Sequence, residues 1–240
     1  PMEILFIALV VLVASFAGTV AGFGISSILI PFVSLFLPLP QTLLLVGSIH
    51  WFGDIWQLLL FRKGVKWTLI LAFGLPGVAL SFAGARLTFV VDSATLLRIL
   101  GGLLIAYVMA LAIRPDLRLP RSTPVAIGAG ATSGFSAGFF GVSGPITGAF
   151  LSAYDLPKAI YIATGAAIGL AFDTTRLTTY IAGGTRLEAK FAWAMLIFVP
   201  LSFVGAFVAQ RVVHRIPQGK FRAVVAVALL AFGVKLLLFP

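Results

Sequence analysis

The chain contains no cysteine, which excludes disulfides, iron–sulfur clusters and thiolate zinc sites. It is nearly as poor in charge, with 17 Lys plus Arg, 7 Asp plus Glu and 2 His among 240 residues. Charged residues make up 10% of the chain, against about 25% in an ordinary soluble domain. That leaves too little polar surface for a soluble fold of this size, so a soluble enzyme and a nucleic-acid-binding domain are excluded. Disorder is excluded too, because charge is low and Leu, Ile, Val and Phe abound. No Gly-x-x-x-x-Gly-Lys-Ser/Thr loop and no His-Glu-x-x-His occurs. ATP-driven pumping by this chain alone is therefore excluded, and no catalytic set, metal site or cofactor is expected. Glu3 is the only charge near the N-terminus, so a cleavable signal peptide is not expected.

What the chain has is apolar length: 60% of its residues are hydrophobic, many in long continuous runs. Such runs indicate an all-α polytopic membrane protein rather than a β-barrel, whose strands would alternate apolar and polar residues. The net charge of +10 lies mostly in short loops between these runs, the positive-inside pattern of a protein whose partner is the lipid bilayer and not nucleic acid.

From Ile4 to Gly53 the only titratable side chain is His50. As a single helix that run would be about 75 Å long, more than twice the ~30 Å bilayer core, so it must fold back. The glycines and prolines give the places. One Gly-broken hairpin is expected near 3–37, with helices near 40–61, 67–88 and 94–113, in a first half spanning 1–116. A second hairpin is expected near 124–154, with helices near 156–181, 190–211 and 218–238, in a second half spanning 117–240.

The halves repeat. Gly22, Asp54 and Gly64 match Gly141, Asp173 and Gly183 at an offset of 119, and Leu80-Ser-Phe-Ala-Gly-Ala85 matches Leu201-Ser-Phe-Val-Gly-Ala206 at 121. Basic residues cluster in loops 62–66, 114–121 and 211–222. If each hairpin enters and leaves on one side, all three loops face the cytoplasm and both termini face outward. Each half then adds three transmembrane helices to its hairpin, which makes the halves inverted repeats, an architecture common in secondary transporters.

Two features carry chemistry. Broken helices expose backbone N–H groups at helix N-termini, which attract anions. Gly22, Gly24, Ser26 and Ser27 in the first break, with Gly141, Ser143 and Gly144 in the second, are therefore candidates to bind a small anion. The competing reading is that these glycines serve only close helix packing. Polar groups inside apolar helices are the second feature. His50, Asp54 and Gln57 share one helical face, and Asp173 and Arg176 are the counterparts of Asp54 and Gln57. Gln57 and Arg176 join the substrate-binding candidates, a guanidinium being matched to oxyanions. His50, Asp54 and Asp173 are the coupling or gating candidates. A structural Asp173–Arg176 pair, an Asp54 capped by hydroxyls, and an Arg176 reaching out to the interface are the alternatives. His50 and Asp54 alone are too few ligands for a metal.

The two breaks read Ala21-Gly-Phe-Gly-Ile-Ser-Ser-Ile-Leu-Ile-Pro31 and Ala137-Gly-Phe-Phe-Gly-Val-Ser-Gly-Pro145. With the duplication, they make the sequence resemble the TauE/SafE family of sulfite exporters over nearly its whole length. Ser26-Ser27 and Ser143 stand where the family commonly has further glycines. The resemblance implies a secondary transporter of a sulfur oxyanion, sulfite or a small organosulfonate, in the bacterial inner membrane. A homodimer is the one protein partner considered. The alternative is a transporter or channel for another small ion, including a cation drawn to Asp54 and Asp173.

Overall fold

A computed structural model describes residues 2–21, 24–113, 120–213, 215, 226–227, 230–231 and 233–239. Its described residues form nine α-helices: α1 (Met2–Ala21), α2 (Ser26–Val33), α3 (Leu39–Leu60), α4 (Trp67–Leu87), α5 (Ser93–Ile113), α6 (Thr123–Phe140), α7 (Gly144–Ser152), α8 (Lys158–Ala182) and α9 (Ala189–Val212). Residues 226–227, 230–231 and 233–238 are also helical; the other residues of the helix expected near 218–238, with Lys220 and Arg222, lie outside the described residues. So do Gly22 and Phe23 of the first break and 114–119 of the basic connection.

Local chemistry sets several helix ends. Pro40, Pro124 and Pro145 stand in the first turns of α3, α6 and α7, where a missing N–H costs nothing. Gly141 ends α6 in the left-handed conformation at φ 77°, and its N–H and that of Val142 turn back onto the Ala137 and Ser136 carbonyls. Only glycine takes that geometry freely.

Five helices, α1, α3, α4, α5 and α9, are long and apolar enough to cross a membrane. At 25 residues α8 is as long, but its threonines, Asp173 and Arg176 keep it out of that set. It tolerates them because its polar face is turned inward. Leu71, Leu75, Trp193 and Leu196 are exposed, as suits side chains meeting lipid.

Small residues bring helices of the two halves together. A Cβ at Gly130, Gly134 or Gly138 would lie 2.1, 1.9 and 2.0 Å from the carbonyl oxygens of Phe73, Gly77 and Ser81. These contacts align α4 and α6 side by side in the same direction, backbone against backbone. On the far side, Gly205 of α9 sits against Leu12 and Ser15 of α1, and Lys190 pairs with Glu3 at 3.2 Å, so α1 and α9 also run in the same direction. The central pair, α3 and α8, is antiparallel: Gly47 meets Leu177, Trp51 bonds Thr174 and Asp54 meets Gly169. In the first half α5 packs through Gly101 on the backbone at Gly233.

The described parts of the basic loops share one end of the bundle. The Lys66 N–H donates to Thr164 Oγ1 at 3.1 Å and Gln210 Nε2 to the Leu60 carbonyl at 2.6 Å. Lys158 donates to the Val213 carbonyl, and Arg121 to Asp155 and the Ala153 carbonyl. The α6–α7 hairpin therefore begins and ends at this basic end. At the opposite end the ring of Phe6 meets those of Phe32 and Phe36 at 6.1 and 5.5 Å, which brings the start of α1 next to the end of α2.

Candidate functional site

The antiparallel crossing of α3 and α8 puts five polar side chains in the middle of the bundle. His50, Asp54 and Gln57 project from one face of α3, and Asp173 and Arg176 from one face of α8; all are buried. Asp173 holds two partners. His50 Nδ1 lies 2.6 Å from its Oδ2, and Arg176 Nε donates to its Oδ1 at 2.7 Å. Asp54 Oδ2 lies 3.5 Å from His50 Nδ1. Arg176 Nη2 reaches Ser26 Oγ at 3.5 Å, while its Nη1 is buried with no hydrogen-bond partner.

Glycines make the space these groups occupy. A Cβ on Gly141 would lie 2.9 Å from Arg176 Nη1, and one on Gly47 would lie 3.3 Å from its Cζ. At Gly24, in the left-handed region at φ 76°, a Cβ would come within 2.9 Å of His50 Nε2. At Gly169 it would come within 2.5 Å of Asp54 Oδ2. The glycines of α6 serve helix packing, one of the two expected uses, while Gly24, Gly47, Gly141 and Gly169 make room for charged or titratable side chains.

A cleft adjoins this cluster, lined by Gly24, His50, Asp54, Gln57, Ser143, Gly144 and Thr147. Tyr161 and Ile162 in the first turns of α8 also line it, so it extends from His50 toward the basic end. The first turn of α7 is part of the wall. There Ile146 and Thr147 turn their N–H groups onto the Ser143 carbonyl, and Pro145 has none. Thr147 Oγ1 bonds Ser133 Oγ at 2.8 Å.

The expected residues thus fall into two layers. Gly24, His50, Asp54, Gln57, Ser143 and Gly144 line the cleft. Asp173, Arg176, Ser26 and Gly141 lie beyond it, with Ile30 and Leu43 packed against Gly141; Ser27 is buried nearby on α2. Gly22 is outside the described residues. Arg176 does not reach out to an interface: it is 1% exposed and paired to Asp173. Nor do hydroxyls cap Asp54 Oδ2, which has no hydrogen-bond partner.

Sequence reasoning passed over Thr147, Gly47, Gly169 and Tyr180, whose hydroxyl donates to the Gly138 carbonyl beside this layer. Gly169 had a signal, since it stands at the repeat offset of 119 from His50.

The structure adds a third candidate metal ligand to His50 and Asp54. Ligand atoms of these two and of Asp173 lie within 4.8 Å of one another. Two ligands on one zinc-sized ion stand about 3.3 Å apart at ~2 Å bond lengths, whereas His50 Nδ1 and Asp173 Oδ2 are at 2.6 Å. That separation is a hydrogen bond's, so the arrangement suits a proton rather than a metal.

A family model described as Sulfite exporter TauE/SafE matches residues 7–236. No curated protein matches the chain, and no solved structure does.

Proposed function

The chain belongs to the sulfite exporter TauE/SafE family, so it is a multi-pass membrane transport protein, and from that membership we propose that it moves a small anion by alternating access. The cargo we assign is a sulfur oxyanion, sulfite or a small organosulfonate, and the membrane is the bacterial inner membrane. The observation that carries this reading is the central cleft, where the first turn of α7 meets the buried polar crossing of α3 and α8. The Gly144 N–H at the start of α7, the Gln57 amide and the Thr147 hydroxyl supply donors to an oxyanion without any cofactor.

We further propose that the halves are inverted repeats. Exchanging α1, α2, α3 and α4 with α6, α7, α8 and α9 turns the α4–α6 pair into α9–α1 and returns α3–α8 to itself. The two parallel pairs start from opposite ends of the bundle, in support of inversion. The exchange also carries the cleft wall, Asp54, Gln57 and the start of α7, onto Asp173, Arg176 and the start of α2. The cleft extends toward the basic end in this conformation. Its counterpart, with Ser26, Ser27, Gly141 and Arg176, would open toward the other side in the alternate one. His50, Asp54 and Asp173, at the hub of both, are assigned to coupling.

A cation drawn to Asp54 and Asp173 is the competing reading, favoured by the three-residue cluster. It is weakened by Arg176, which already neutralises Asp173. Flux from proteoliposomes separates the two, with sulfite, sulfate, thiosulfate, sulfoacetate, acetate, chloride and sodium supplied in turn. Sulfite movement that sulfur oxyanions inhibit is the expected result. Transport of sodium with no response to any anion would sink the proposal.

A further inference from the structure

Asp54 and Asp173 are repeat partners with unequal surroundings. Asp173 has a donor on each oxygen, His50 Nδ1 at 2.6 Å and Arg176 Nε at 2.7 Å. Asp54 Oδ2 is buried with no hydrogen-bond partner, although the residue lines the cleft. The reason is two replacements between the repeats, the first being Gln57 where the other half has Arg176. At the offset of 119 the counterpart of His50 is Gly169, so the place that holds a donor beside Asp173 holds only a backbone beside Asp54, 2.5 Å from where a Cβ would stand. The nearest possible side-chain donor, His50 Nδ1 at 3.5 Å, lies closer to Asp173, at 2.6 Å. Arg176 is committed to Asp173 as well. Buried acceptors are ordinarily paired, and a carboxylate left over in the wall of a ligand cleft is an acceptor waiting for a donor from the ligand.

We propose that Asp54 is a specificity residue that accepts a hydrogen bond from the cargo's own acidic hydroxyl, so that the bound species is a protonated oxyanion of the hydrogen sulfite class. This rests on the reading of the cleft as an anion site. An oxyanion oxygen facing Asp54 with no proton between them sets lone pair against lone pair where water cannot screen them. A ligand hydroxyl puts the proton in that gap and turns repulsion into a charge-assisted hydrogen bond. A site built to bond a hydroxyl rejects the analogue that lacks it far more strongly than an apolar pocket rejects a missing methylene.

Methanesulfinate is the matching probe. It carries the same single charge as hydrogen sulfite, with a methyl group in place of the hydroxyl, so both can be compared at one pH on the acid side of neutrality. Calorimetry on the purified full chain should show hydrogen sulfite binding at least about tenfold tighter than methanesulfinate. In Asp54→Asn the amide is both donor and acceptor, and the ratio should fall to about two- or threefold. Equal binding of the two anions by the parent protein would overturn the assignment, and that comparison needs no variant to fold. A folded Asp54→Asn protein that keeps the parent's ratio would overturn it too. Binding of neither anion would instead remove the anion site on which the inference stands.

Discussion

His50 on α3 and Asp173 on α8, 123 residues apart in the chain, meet Nδ1 to Oδ2 at 2.6 Å in the buried centre of the bundle. The contact ties the two halves together at the point where the cleft ends. Arg176 completes it from the other oxygen of Asp173, so one carboxylate organises a cation and an imidazole from different helices.

Removing that carboxylate should therefore be costly. Asp173→Asn leaves a buried guanidinium without its counter-charge, a loss of about 3–5 kcal/mol for a broken buried pair. The Asp173→Asn, Arg176→Gln double variant removes both charges and should recover part of the loss. Thermal unfolding of the four proteins in one detergent checks this. Equal destabilisation by the single and double variants would mean that Arg176 does not depend on Asp173.

Arg176 is walled off from the cleft in this conformation. A folded Arg176→Gln protein should bind sulfite from the basic side nearly as well as the parent, yet carry flux at least about tenfold more slowly, because the proposed cycle has the guanidinium bond the anion in the alternate state. Arg176→Lys should restore flux only partly, since an ammonium lacks the planar fork. Equilibrium binding and proteoliposome flux on the same preparation test the split. Loss of both in equal measure would place Arg176 in the cleft's own binding set.

The contact of α4 with α6 gives a packing prediction. In Gly134→Ala the new Cβ would stand 1.9 Å from the Gly77 carbonyl oxygen, so the helices must part along their length. About 1–3 kcal/mol of destabilisation is expected from such overpacking. Gly128→Ala, on the same helix with nothing within 4 Å, should be neutral or slightly stabilising through helix propensity. A melting comparison of the two checks the interface.

Sidedness can be read directly, because the parent has no cysteine. Single cysteines at Lys63, Arg121 and Arg211 should react with an impermeant reagent from one face of the membrane, and one at Thr185 from the other. Labelling of positions 63 and 185 from the same face would contradict the arrangement of the ends.

The helical membrane character was legible because it depends on local properties, apolar length and the placing of Gly, Pro and Lys or Arg. Pairing was not. Leu80-Ser-Phe-Ala-Gly-Ala85 and its copy announced a small-residue face, but nothing local says that Gly84 packs on α6 and Gly205 on α1. The site shows the same limit. Spacing along each helix paired His50 with Asp54 and Asp173 with Arg176, yet the shorter bond of His50 runs to Asp173 on the other helix. The register of an antiparallel crossing is fixed by contacts such as that of Gly47 with Leu177, which spacing along one helix does not reveal. Nor does apolar length single out α8, whose polar face is affordable only because α3 and α4 cover it.

His50 offers the last test, since it faces both Asp173 and the cleft. Among the groups packed around it, Asp54 lies on its own helix, Asp173 and Arg176 on α8, and the backbone of Gly24 near its Nε2. An unperturbed imidazole titrates near neutral pH, so with Nδ1–H given to Asp173, a second proton can be gained or lost at Nε2 as conditions change. His50→Gln keeps an amide donor for Asp173 but cannot titrate. It should fold with nearly the parent's melting temperature, yet flatten the dependence of flux on pH between about 5 and 8. His50→Leu supplies no donor to Asp173 and should instead be destabilised, by about 1–3 kcal/mol for the unsatisfied acceptor. Flux across a pH series, measured beside thermal unfolding, distinguishes a proton carrier from a structural bond. A stable His50→Gln protein with the parent's pH profile would assign His50 to structure alone and leave Asp54, the group it does not serve, as the remaining proton carrier in the cleft.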